Sequence, residues 1–187
     1  IIWCGGGISA TAIESGMVQI RSLPASFRGD FKTRGFEHIL ELSLPEEGAR
    51  AGKEAAALLH ARKMPSEKTT IILGHSQLAL QVHESCGHPT ELDRALGYEA
   101  AYAGTSFLTP DLLEKEFKYG NELVTMTADA TLEGGLGSFF YDSEGVKAQR
   151  TLLIDKGILV GFMSSRETAK AIGLEHSSGA ARAMSYN

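Results

Sequence analysis

Cysteine is scarce in this sequence: only Cys4 and Cys86 occur in 187 residues. That is too few for a disulfide framework and typical of a reducing compartment, so a cytoplasmic location is expected. Long apolar runs are missing as well. The continuous apolar runs, such as Ile71-Ile72-Leu73, are short and fall far below the ~18 residues a membrane span needs. There is no basic stripe, since the net charge is -5, the pI is near 5.7 and Lys and Arg are scattered, which argues against a nucleic-acid ligand. Neither a signal-peptide pattern, a low-complexity tract nor a repeat is present. The triplet Gly5-Gly6-Gly7 lacks the following helix that a phosphate or dinucleotide loop requires, and reads as a turn. An initiator Met is absent too: the chain opens on Ile1-Ile2-Trp3 and closes on Ala183-Met184-Ser185-Tyr186-Asn187 without a helix or charged tail. The expectation is the middle portion of a larger protein, 1–187, with both ends cut and a sub-boundary near 65–68.

What is present suits a soluble folded chain: 43% of residues are hydrophobic and 22% charged. Ile8 to Ser22, with Ser15-Gly16 inside it, predicts a hairpin. Pro45, Glu46 and Glu47 suit the first turn of a helix that buries Ala55, Ala56, Leu58 and Leu59 and stops before Pro65. Thr69 to Leu73 predicts a strand, and Ser76 a cap for a helix carrying Leu78, Leu80 and Val82. Further on, Thr90 to Tyr102 predicts a helix, Gly104 to Thr109 an extended segment, and Asn121 to Ala128 a strand. Thr151 to Ile154 and Ile158 to Met163 form a hairpin around Lys156-Gly157, and Ser164 or Ser165 caps a helix ended by Gly173. Helices and strands alternate without a strict βαβ rhythm, so the fold class is α+β, a mixed sheet with packed helices.

The chemistry concentrates in His83-Glu84-Ser85-Cys86-Gly87-His88. Zinc takes N, S or O ligands near a tetrahedron, and a peptidase needs a carboxylate beside it to accept a water proton. His83 and His88 offer two ligands and Glu84 a base. Five residues apart on an ideal helix, the two imidazoles would diverge by roughly 140°. The helix must therefore break near Gly87, as an αL stop or a π-bulge, and Pro89 forbids simple continuation. Glu91 and Asp93 stand where acids could orient imidazoles, or else pair with Arg94 in a solvated first turn. Cys86 is a sterically conceivable ligand, but the expectation is that it packs as a small apolar residue. Cys4 is read the same way. His38, His60, His75 and His176 lack partner spacing and are taken as structural or exposed. Tyr98 and Tyr102 are read as packed aromatics, with an oxyanion-donor role as the alternative.

The string from His83 to Gly97, HESCGHPTELDRALG, resembles the motif of the TldD/PmbA family of zinc metallopeptidases, whose catalytic members carry His-Glu-x-x-x-His followed by Glu and Asp. The similarity extends to Gly7-Ile8-Ser9-Ala10-Thr11-Ala12, Ala101 to Phe107, Asp142-Ser143-Glu144-Gly145 and the Leu153 to Met163 hairpin. The resemblance implies Zn2+ held by His83 and His88, Glu84 as base, and a third ligand from a cysteine that would lie beyond Asn187. It implies hydrolysis of unfolded or short peptides, in a homo- or heterodimer with a family subunit, by metal-assisted attack of water. A non-catalytic scaffold subunit and a metal hydrolase of non-peptide amides or esters are the rival classes. Retention of His83, Glu84 and His88 together argues against the first, and product analysis separates the second.

Overall fold

The computed structural model describes residues 2–24 and 29–181, so the closing residues 183–187 lie outside the described region. It forms two compact units, Ile1–Ala79 and Leu80–Asn187.

In the first unit the glycine triplet is not a turn. Cys4–Gly6 is strand β1, paired antiparallel with β4 (Asp30–Lys32), Gly5 opposite Phe31. Bare backbone is what allows this approach: a Cβ at Gly5 would lie 2.4 Å from the Asp30 carbonyl oxygen, and one at Gly7 2.6 Å from the Gly29 Cα. Cys4 is half-buried in that strand rather than buried beside a turn. The hairpin forms as expected, with β2 (Ile8–Glu14) and β3 (Met17–Leu23) in register from Ile8 opposite Leu23 to Glu14 opposite Met17. Ser15 and Gly16 carry φ of 50° and 80°, the paired left-handed residues of a type I′ turn.

A short helix α1 (Glu37–Glu41) is followed by α2 (Leu44–Leu59), which has Pro45 and two acids in its first turn. Against expectation, α2 ends six residues before Pro65, and its Ala56 and Leu58 are exposed. The buried positions are Ala51 and Ala55, and a Cβ at Gly48 would sit 3.3 Å from Ile8. Small residues spaced three and four apart thus seat the helix on the β2–β3 hairpin. Thr69 to Leu73 forms no strand. Ile72 is 96% exposed, and among the described residues no strand pairs with the segment, so β-branched propensity has no ladder to act on.

Helix α3 (His75–Val82) begins with the Leu78 amide on the Gly74 carbonyl at 2.9 Å and leads into the motif. Beyond the motif, the helix expected over Thr90 to Tyr102 shrinks to α4 (Leu92–Ala95). Thr90 and Leu92 are drawn instead into backbone pairing with Met163: its amide donates to Thr90 at 2.8 Å and its carbonyl accepts from Leu92 at 2.9 Å. Gly97, at φ 81°, then turns the chain away. The remaining strands, β5 (Met126–Asp129), β6 (Arg150–Asp155) and β7 (Ile158–Leu159), form one antiparallel sheet in that order. The first starts later, and the last stops earlier, than the residue pattern suggested. Lys156 and Gly157 supply φ of 45° and 83° at the tip of the β6–β7 hairpin. Ser165 caps α5 (Arg166–Ala171) by accepting the Thr168 amide at 3.1 Å, and Gly173 stops it. Cys86, Leu92, Leu108, Leu153, Ile154, Leu159 and Phe162 form the core of this unit, the large ones contributing about 2 kcal/mol each on burial. Helices and strands are mixed along the chain in small sheets, an α+β architecture. No helix among the described residues is long and apolar enough to cross a membrane.

Candidate metal centre

Helix α3 does not continue as an α-helix through the motif. Val82 is its last residue, His83–Gly87 winds as a π turn, and His88–Thr90 tightens to a 3-10 turn. The amide of His88 donates to the carbonyl of His83, the i to i+5 bond that defines a π turn. The five-residue spacing that would scatter the imidazoles on an α-helix therefore places one above the other. Their ring centroids lie 4.4 Å apart, edge to face at 78°. Ligand-capable atoms of His83, Glu84 and His88 all lie within 4.8 Å of one another, with His83 and Glu84 exposed and His88 half-buried.

The break belongs to Pro89 more than to Gly87. Gly87 keeps right-handed helical angles, φ -55° and ψ -69°, and a Cβ there would meet nothing nearer than the Val82 oxygen at 3.9 Å. Pro89 is buried and has no amide to extend an α-helix. The carbonyls released by the break are taken up by side chains. Buried Thr90 donates its hydroxyl to Cys86 at 2.7 Å and to Gly87 at 3.0 Å, and the Tyr119 hydroxyl donates to Ser85 at 2.6 Å.

Glu91 lies against the second imidazole: its two oxygens are 3.0 and 3.1 Å from His88 Nδ1. A carboxylate there can accept a proton held on Nδ1, and the tautomer with that proton leaves the lone pair on Nε2, the arrangement that metal-binding histidines use. Arg94 completes the pairing that residue spacing had offered as the alternative, so Glu91 serves both. Its Nε donates to Glu91 at 2.9 Å, and its Nη1 to the Ala103 carbonyl at 2.9 Å. Asp93, expected to share the orienting task, instead accepts the Arg94 amide at 2.9 Å. Cys86 turns away from the imidazoles into the core at 1% exposure, and burial pushes its thiol pKa up, which disfavours a thiolate. Tyr98 and Tyr102 are 57% and 94% exposed, so the packing role expected for them is absent. His38 is buried with Nε2 3.4 Å from Asp30, His60 stands by Glu14, and His75 and His176 are exposed. Thr90 and Tyr119 escaped the residue pattern. Pro89 was a usable signal, since a proline after a helix leaves a carbonyl that some donor must find.

Two imidazole nitrogens and a carboxylate match the donor chemistry of zinc, and the Glu91 contact points His88 Nε2 toward such a role. The chain matches the model of the PmbA/TldA metallopeptidase C-terminal domain over residues 66–187. It is 38% identical over 152 residues to a metalloprotease of Methanothermobacter thermautotrophicus, covering 81% of this chain and 31% of that one. It is 33% identical over 129 residues to a metalloprotease TldD homolog of Buchnera aphidicola, covering 69% and 25%. In fold it is similar to a Bacteroides thetaiotaomicron protein named as a candidate modulator of DNA gyrase, at TM-score 0.68 and 18% identity over 96% of this chain and 37% of that one. It is also similar to TldE from Thermococcus kodakarensis, at TM-score 0.53 and 20% identity over 92% and 35%. The chain spans about a third of the length of these relatives. With the family model covering well over half of the sequence, the chain belongs to the PmbA/TldD family of metallopeptidases.

Proposed function

We propose that this chain carries two zinc ligands, His83 and His88, and the general base, Glu84, of a peptidase that hydrolyses unfolded or short peptides. The observation that carries the reading is the gathering of these three side chains within 4.8 Å across one π turn. A third ligand, a cysteine sulfur from beyond Asn187, completes the set. Zinc, when bound, supplies Lewis acidity toward the scissile carbonyl and acidifies a water. The protein's own groups do the rest. His83 and His88 present ring nitrogens, and Glu91 holds Nδ1 of His88 so that Nε2 stays available. Glu84 takes a proton from the attacking water as its oxygen adds to the peptide carbon, then delivers that proton to the amine as the C–N bond breaks. The exposure of Glu84 leaves its carboxylate open to substrate.

The working enzyme is proposed as a two-subunit assembly with a family partner, in the cytoplasm. In the full-length protein, Glu84→Gln should abolish peptide hydrolysis and keep stoichiometric zinc, whereas His83→Ala and His88→Ala should lose both. Near-normal turnover by Glu84→Gln would remove the catalytic assignment. Zinc retained by both histidine variants would remove the ligand assignment.

A further inference from the structure

An α-helix ends by leaving carbonyls without amide partners, and Pro89 creates one such vacancy early. In α-helical winding the amide that would reach the carbonyl of residue 85 is that of residue 89, and proline has no N–H to offer. The Ser85 carbonyl lies inside the π turn, between the two candidate ligands, so what it bonds to bears on where they point. Its donor is the Tyr119 hydroxyl at 2.6 Å, 34 residues away in sequence. Tyr119 is itself held: its amide donates at 2.8 Å to the carbonyl of Gly157, in the tip of the β6–β7 hairpin. The ring is half-buried against the core, and burial raises the phenol pKa, keeping the hydroxyl a donor. A rigid hairpin is thus connected through one phenol to the carbonyl at the centre of His83–Gly87.

We propose that Tyr119 is a positioning residue of the metal centre: its hydroxyl bonds the Ser85 carbonyl, which Pro89 has no amide to reach, and holds the π turn that sets His83 edge to face against His88. The inference rests on the metal-site reading above. Tyr119 touches neither imidazole through this bond and acts through the Ser85 backbone. Without the hydroxyl the carbonyl must turn toward water, and the i to i+5 geometry that brings the histidines together loses a constraint. Partners bonded directly to a ligand change metal affinity by about 10- to 100-fold, and a group acting through the backbone is expected at the low end of that range.

The test is zinc affinity of the full-length protein, measured by competition with a chromophoric chelator. Tyr119→Phe keeps the ring and removes only the hydroxyl, and should weaken zinc binding by about tenfold, with hydrolysis recovering in excess zinc. Ser165→Ala, which weakens the α5 cap elsewhere in the same unit, should lower thermal stability and leave zinc affinity within about twofold. Tyr119→Phe with wild-type zinc affinity, alongside His83→Ala that has lost zinc, overturns the positioning role and leaves the metal reading intact. Equal loss of zinc affinity in Ser165→Ala overturns it too, by reducing the effect to general stability. Zinc retained by His83→Ala removes the metal reading and this inference together.

Discussion

Thr90→Val isolates the hydroxyl that closes the motif. Thr90 is fully buried, and its one hydroxyl serves the Cys86 carbonyl at 2.7 Å and the Gly87 carbonyl at 3.0 Å. Valine keeps the volume and β-branching, so packing is nearly unchanged and both carbonyls lose their side-chain donor. An unsatisfied buried acceptor costs about 1–3 kcal/mol, so a loss of about 2 kcal/mol is expected. Thr90→Ser keeps the donor and loses one methyl, which costs about 1 kcal/mol. Urea unfolding followed by circular dichroism separates the two. With an m-value of about 2 kcal/mol/M, valine should lower the midpoint by about 1 M and serine by about half that. The order is opposite to what volume alone predicts. If the valine variant proved as stable as the serine variant or more so, the hydroxyl would not be holding those carbonyls, and the account of how the helix ends after Gly87 would be wrong.

Gly87→Ala should be tolerated, with stability changed by less than about 1 kcal/mol and zinc affinity by less than about threefold, because the position is right-handed and sterically open. A collapse of either quantity on titration would restore glycine as the cause of the break. Cys86→Ser should cost about 1–3 kcal/mol in chemical denaturation by placing a hydroxyl among Leu92, Leu108 and Phe162, yet leave zinc affinity within about twofold. A large drop in affinity would instead make the thiol a ligand. Glu91→Ala should weaken zinc binding by about 10- to 100-fold through loss of the His88 Nδ1 contact, read by chelator competition, and an unchanged affinity would show that the contact is only structural.

Local signals carried well where one or two residues decide the conformation. Ser15-Gly16 and Lys156-Gly157 specify their hairpins because left-handed φ is needed at both loop positions, and Ser165 caps α5 through its own side chain. The motif spacing was informative for the same reason: five residues is the hydrogen-bond period of a π turn, so the histidines meet only if the helix changes its winding there. What failed depended on distant partners. Thr69 to Leu73 has strand-forming residues and no ladder among the described residues. The helix expected over Thr90 to Tyr102 lost its start to Met163, 73 residues beyond Thr90. Gly5 and Gly7 looked like a turn because a close strand crossing and a reversal both call for glycine. Tyr119 could not be assigned to Ser85 from spacing at all, although Pro89 announced that some donor was required.

Anomalous scattering at the zinc edge from crystals of the zinc-loaded full-length protein tests the central claim most directly. A single peak about 2.0–2.1 Å from a ring nitrogen of both His83 and His88, with Glu84 beside it and unligated, is the predicted result. A peak on Cys86, or at a site that includes neither histidine, would contradict it.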